Sequence, residues 1–282
     1  MQINPINTNF VADIAEVDLA NLTDAEFERL YTAWLKYGVL RIRNQPLDAQ
    51  GLQTFSARFG PLEEAPFGRM SEAQKKKIKN RYVTQLSNII IDGKPVGGLG
   101  NLEASWHSDM TYVQTPPPAS ILLGIEIPPQ GGDTHFADQN AAYQMLPDEL
   151  RETIQSLTIK HDAAHNSVGG LRHGYQTFTD PREAPGAIHS IIRIHNETKQ
   201  PALYLGRREF AYVPGLSLAD SEALLDELWS YAAQPQHCWM QTWQPNDVII
   251  WDNRRVLHRR DEFNNAHRRL MQRCQVLDRA SV

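Results

Sequence analysis

Residues 247–277 read DVIIWDNRRVLHRRDEFNNAHRRLMQRCQVL, and this stretch decides the fold class. Asp247–Trp251 and Val256–Arg259 are apolar runs too short for helices, and Arg268–Leu277 follows a turn at Asn264-Asn265-Ala266. Short runs of this kind, punctuated by Asn and Asp, predict strands. The same texture extends backward through Tyr82–Ile91, Ser105–Val113, Ala119–Ile127 and His237–Trp243, with turns at Asp92-Gly93 and Gly131-Gly132. Helical periodicity is confined to a stretch capped by Thr23-Asp24, to Asp48–Phe59, to Asp138–Leu157 and to Leu218–Ala233 behind Ser217. The pattern predicts a mainly β chain with flanking α-helices, one domain over 1–282, closing as a barrel or jelly roll whose mouth holds a ligand. Residues 62–80 are polar, carry four of the eight lysines, and predict a lid loop over that mouth.

Composition narrows the functional classes. With 282 residues, 41% hydrophobic and 22% charged, the chain is a globular protein rather than a disordered one. No apolar run approaches the roughly 20 residues of a membrane span. The first residues lack the basic and apolar pattern of a secretion signal. Cys238 and Cys274 alone make no disulfide framework, so a reducing cytoplasm is expected. A net charge of -5 argues against a nucleic-acid partner. The expected partner is a small molecule, and association into a homo-oligomer is left open.

His107-Ser108-Asp109 lies in a strand-like run, where residues two apart share a face about 7 Å apart along the backbone. His258, on a late strand, supplies another imidazole. Two histidines and one carboxylate with open positions form the facial triad of non-haem Fe(II) oxygenases, although zinc hydrolases use similar ligands. His195-Asn196-Glu197 is a rival pair of the same form, running into a turn. The arginines discriminate. Arg269, Met271 and Arg273 fall on one face of the last strand by the period-two rule, opposite Leu270, Gln272 and Cys274. Two buried guanidiniums facing one way are costly without an anion, and their planar forks suit a carboxylate. A hydrolase leaves those arginines unexplained, and an exposed Arg-rich interaction module conflicts with their apolar alternation.

These residues resemble the TauD/TfdA-like family of Fe(II)- and 2-oxoglutarate-dependent dioxygenases. The matching pieces are Trp106-His107-Ser108-Asp109, Gly131-Gly132-Asp133-Thr134, Trp251-Asp252-Asn253-Arg254 with His258, and Arg269 and Arg273 at 11 and 15 positions beyond His258. Gly38–Asn44 and Phe59-Gly60-Pro61-Leu62 fit too. The resemblance implies a double-stranded β-helix of the jelly-roll, cupin-like kind. It implies Fe(II) on His107, Asp109 and His258, with the distal carboxylate of 2-oxoglutarate on Thr134 and Arg269. Arg273 is implied near the metal-end carboxylate and an anionic substrate group. The implied reaction consumes O2 and 2-oxoglutarate, releases succinate and CO2, and hydroxylates a substrate C–H bond. Cleavage of a C–heteroatom bond follows where the hydroxyl lands beside a heteroatom. Oxidative tailoring of an amino-acid-like or natural-product intermediate is the alternative outcome of the same chemistry.

The family's taurine-type members grip the sulfonate with a histidine ahead of the metal motif, and this chain has none before His107. That argues against taurine itself. Arg207-Arg208 stands where it can meet a carboxylate or sulfonate, and Met110, Tyr112, Asn101 and Glu103 flank the metal motif as candidate substrate contacts.

Overall fold

The computed structural model describes residues 1–6, 10–66 and 78–278. Local chemistry sets the first helix, α1 (Asp24–Tyr37). The Thr23 side chain accepts from the Glu26 backbone N–H, and the Glu26 carboxylate accepts from the Thr23 N–H, closing a capping box. Gly38, at φ +81°, ends the helix in a left-handed turn that most residues adopt only with strain, and sends the chain straight into a strand. The other helices are α2 (Ala49–Ser56), α3 (Gln139–Met145), α4 (Asp148–Ile154) and α5 (Leu218–Ala232).

The strands of the first half are β1 (Gln2–Pro5), β2 (Val11–Ala15), β3 (Val39–Ile42), β4 (Thr84–Ser87), β5 (Ile90–Ile91), β6 (Lys94–Pro95), β7 (Gly98–Leu99), β8 (Ala104–His107), β9 (Ala119–Glu126) and β10 (Thr134–Asp138). Those of the second half are β11 (Thr158–Lys160), β12 (Ile188–Ser190), β13 (Ile192–Ile194), β14 (Pro201–Leu203), β15 (Cys238–Gln241), β16 (Val248–Asp252), β17 (Val256–Arg260) and β18 (Leu270–Val276). A large sheet runs β1-β2-β3-β16-β9-β18-β4-β7, and a small one runs β15-β10-β17-β8.

Side-chain alternation stacks these sheets. On β16, Val248 and Ile250 join a core with α1 and α2, whereas Ile249 and Trp251 point the other way. β9 divides likewise, Ile121 and Leu123 toward the helices and Leu122 away, and so does β18, with Cys274 and Val276 opposite Met271. The inward set meets Phe136 of β10, Trp239 of β15 and Val256 of β17, so the two sheets form a sandwich. A further core packs α3, α4 and α5 onto the outer face of the small sheet through Ala137 and Leu257. The central strands are buried on both faces, which is why they read as continuous apolar runs. The result is the mainly β jelly roll with flanking helices that the sequence predicts.

Two expected elements differ. The strand expected over Ser105–Val113 stops at His107, and the helix expected over Asp138–Leu157 breaks at Leu146-Pro147, because proline cannot donate to a continuing helix. Of the lid expected at 62–80, residues 67–77 lie outside the described residues. Its leading part is tied down: Leu62 bridges Val276, and the Glu63 N–H donates to the Gln275 carbonyl. Among the described residues, no helix is long and apolar enough to cross a membrane.

Ile250→Ala removes a fully buried side chain from the core shared by α1 and the large sheet. The expected cost is about 2–5 kcal/mol, read as a lower urea midpoint with an unchanged slope.

Candidate active site

Strand pairing brings two histidines together. β17 and β8 are antiparallel with His258 opposite His107, and their imidazole centroids lie 4.1 Å apart. Asp109 reaches the same point by a route the sequence does not predict. It stands beyond the end of β8, in a turn held by Ser108, whose hydroxyl donates to the Val256 carbonyl at 2.8 Å and whose N–H donates to the Gly206 carbonyl. Met110 follows at φ +53°, a strained position for a non-glycine residue. The shared strand face expected for His107 and Asp109 is therefore replaced by a turn that swings the carboxylate round. Asp109 Oδ1 lies 3.9 Å from His107 Nε2 and 3.8 Å from His258 Nε2, and one donor atom from each residue falls within 4.8 Å of the others.

The charges suit a divalent cation. His107 Nδ1 sits 2.7 Å from the Ser105 carbonyl, which fixes the proton on Nδ1 and turns the Nε2 lone pair to the centre. Burial lowers both imidazoles; it pushes His258 down to about 3, with His107 beside it acting the same way. Both rings are neutral ligands at neutral pH. Burial alone would raise Asp109, but Arg273 and the two histidines, with the Ser120 hydroxyl, hold its carboxyl well below the usual range. That hydroxyl is itself oriented: Trp251 Nε1 donates to Asn253 Oδ1, Asn253 Nδ2 to Ser120 Oγ, and Ser120 Oγ to Asp109 Oδ2 at 2.8 Å. The Trp251-Asp252-Asn253-Arg254 motif is thus a brace for the carboxylate. Its other half absorbs the rival pair. His195 Nε2 lies 3.0 Å from Asp252 Oδ2, while Arg254 pairs with Asp252 and Glu197. Neutral imidazoles with one carboxylate are the donor set of a non-haem Fe(II) centre.

Beside this triad lies a small inner cavity lined by His107, His258, Thr134, Arg260, Arg269 and Arg273. Arg269 is 2% exposed; among the described residues its Nε has no partner, and its guanidinium makes one hydrogen bond, a long one of 3.4 Å to the Gly132 carbonyl. Burial, then the like charge of Arg260, pushes it down to about 9; burial pushes Arg260 down to about 10. Gly131 and Gly132 are needed where they stand. Both have positive φ, and a Cβ on Gly132 would lie 3.2 Å from Arg269 Nε. The Thr134 hydroxyl accepts from Trp243 Nε1, which leaves its hydrogen free to donate. Arg273 donates to Asp109 Oδ1 at 3.1 Å, and its Nε is unpartnered. Buried guanidiniums lacking a carboxylate carry a penalty of several kcal/mol that an anion relieves. A dianion such as 2-oxoglutarate fits these residues.

An outer cavity of about 220 Å³ opens from the triad. Met110, Tyr112 and Arg207 line it, as the sequence suggests. Arg207 is already engaged by Asp162 at 2.6 Å and by the Asn166 carbonyl, and Arg208 pairs with Glu222 and Asp226 on α5. Asn101 is bonded to Phe263 and Glu103 faces Arg259, so neither lines this cavity. Unforeseen members are Glu63, His165 and Arg172, the last with its guanidinium 3.8 Å over the Tyr112 ring. They come from irregular segments with no spacing motif to mark them.

Neutral buried histidines carry a pH signature. His258 has a folded value near 3 against an ordinary 6.5, so the unfolded chain takes up its proton first as pH falls. Stability is present above about pH 6.5 and is lost toward pH 3. Urea unfolding of the metal-free protein at pH 7 and pH 5 should show this loss, and His258→Gln should flatten it.

Comparison with known proteins agrees with this geometry. The family model described as taurine catabolism dioxygenase TauD, TfdA family matches residues 2–275. The chain is 31% identical over 288 residues to the alpha-ketoglutarate-dependent 2,4-dichlorophenoxyacetate dioxygenase of Cupriavidus pinatubonensis, covering 99% of this chain and 98% of that one. It is 30% identical over 275 residues to the (S)-phenoxypropionate/alpha-ketoglutarate-dioxygenase of Sphingobium herbicidovorans, covering 95% and 92%. The crystal structure of AAD-2 with Mn(II) and N-oxalylglycine superposes with a TM-score of 0.79 at 27% identity, over 98% of this chain and 96% of that one. A buried His-Asp-His centre beside unpaired guanidiniums, in a chain matched end to end, leads to one conclusion: the protein belongs to the TauD/TfdA family and is an Fe(II)- and 2-oxoglutarate-dependent dioxygenase.

Proposed function

We propose that His107, Asp109 and His258 hold the Fe(II), and that Thr134 and Arg269 hold the distal carboxylate of 2-oxoglutarate. In the same reading Arg273 serves the metal-end carboxylate, and the whole chain acts as one domain in the cytoplasm, where Cys238 and Cys274 stay free. When bound, iron with 2-oxoglutarate and O2 supplies oxidative decarboxylation to succinate and CO2, coupled to oxidation of a substrate C–H bond. The protein's own part is placement. His107 and His258 present neutral Nε2 lone pairs, Asp109 contributes one negative charge, and Arg273 offsets that charge from 3.1 Å. Most of the side chains lining the inner cavity are buried, among them Thr134, Arg260 and Arg269.

The substrate we propose is a small anion taken into the outer cavity, hydroxylated at a C–H bond beside a heteroatom so that the product breaks there. One observation carries this reading. Arg172 lines that cavity without a carboxylate partner among the described residues, its Nε buried and unpaired. Arg207 beside it is held by Asp162 and sets the polar wall. A second reading, an amino-acid-like substrate, is favoured by Glu63. This acid lines the same cavity with a buried, unpartnered Oε2, and burial raises its carboxyl.

A panel of aryloxyalkanoates, sulfate esters, sulfonates and amino acids, scored by substrate-stimulated succinate release, separates the readings. Stimulation by aryloxyalkanoates or other simple anions is expected; stimulation by amino acids alone transfers the assignment to the second reading. Arg269→Ala should raise the apparent 2-oxoglutarate constant about 30-fold or more, since truncating one side of a buried charge pair costs roughly 2–5 kcal/mol. Arg269→Lys should recover only part, because an ammonium lacks the fork. An unchanged constant in both variants would mean that another group holds the carboxylate.

A further inference from the structure

Arg260 ends β17, inward like His258 two residues before it, and lines the inner cavity. It is 7% exposed, its Nε has no partner, and no carboxylate of a described residue pairs with it. One amino group donates to the Leu99 carbonyl at 3.3 Å and to the Leu102 carbonyl. Strand register sets it opposite Thr134. Its guanidinium and that of Arg269 approach the same Phe263 ring, at 5.7 and 5.8 Å from the centroid. Two buried guanidiniums without an acid therefore converge on one small cavity, where a single anchoring arginine would leave the other charge uncompensated. One carboxylate offers about four lone-pair sites, enough to accept from both forks and from the Thr134 hydroxyl.

We propose that Arg260 is a further binding residue for the distal carboxylate of 2-oxoglutarate, and that its grip on Leu99 and Leu102 ties that carboxylate to the wall of the substrate cavity. The inference rests on the assignment of the inner cavity to 2-oxoglutarate made above. Leu99 lines both cavities, and it and Gly100 stand at φ +69° and +49°, a tight turn following the two-residue strand β7. A guanidinium anchored on the carboxylate holds this turn from the inside; released from it, the turn keeps β7 pairing with β4 and the bonds between Asn101 and Phe263. Filling the inner cavity thereby shapes the outer one.

The test measures binding without turnover, using Mn(II) with N-oxalylglycine against Mn(II) with oxalate, which lacks a distal carboxylate. In Arg260→Met the dissociation constant of N-oxalylglycine should rise about tenfold or more while that of oxalate changes less than about twofold. Arg260→Lys should show a smaller rise of the same selectivity, and it carries the comparison alone if Arg260→Met does not fold. Equal weakening of both ligands, or of neither, overturns the proposal. Amide exchange gives the second readout: N-oxalylglycine should slow residues 99–102 in the parental protein and not in either variant, and equal slowing in all three overturns the link to the wall. A parental protein that binds both ligands equally well removes the assignment of the inner cavity itself. A parental preference for N-oxalylglycine that survives in the variants removes only the role of Arg260.

Discussion

Everything in the centre depends on keeping a negative charge where burial opposes it. Asp109 is 5% exposed, and Arg273 first, then the two histidines and the Ser120 hydrogen bond, hold it ionised. Each partner is itself placed by the sandwich. Arg273 projects inward from β18 because Cys274 and Val276 are locked outward under α2, and Ser120 takes its orientation from Asn253 and Trp251. A carboxylate braced in this way cannot wander to solvent, so the site is preorganised before any ligand arrives.

The two sheets divide the work. The small sheet carries His107, His258 and Thr134; the large sheet carries Arg273 on β18, with Arg269 immediately before it. The proposed co-substrate would lie between them, and each of its ends would meet both sheets: the metal end faces the histidines and Arg273, the distal carboxylate Thr134 and Arg260 on one side and Arg269 on the other. Much of the wall of the outer cavity belongs to neither sheet: it is built from irregular segments around Glu63, Tyr112, His165 and Arg172.

The sheets were legible in the sequence because strand alternation and buried apolar runs are local signals. So were the histidines and Arg269 with Arg273, whose spacing survives as register. Asp109 was legible as a candidate but not in its geometry: the turn at Ser108–Met110 exists because the Ser108 hydroxyl finds the Val256 carbonyl, a contact 148 residues away. Ser120 and Arg172 left no trace for the same reason, since Ser120 takes its meaning from Asn253 and Asp109 and Arg172 from Tyr112; Glu63 lay within the stretch read as a lid but was not marked out in it. Asn101 and Glu103 misled in the opposite direction. Closeness to the metal motif along the chain did not bring them to the cavity, because the extended strand β8 separates them from His107, and at its far end Asn101 meets Phe263 and Glu103 meets Arg259.

The proposed clamp across the sandwich would have a thermodynamic consequence. A ligand that joins the two sheets binds the native state alone, so mass action adds RT ln(1 + [L]/Kd) to the folding free energy, about 2.7 kcal/mol at a hundredfold excess over Kd. Such a ligand would join β17 to β18, strands with no backbone pairing to each other. Cellular 2-oxoglutarate would then govern how long the enzyme persists against proteolysis as well as how fast it turns over, linking its abundance to the supply of its own co-substrate.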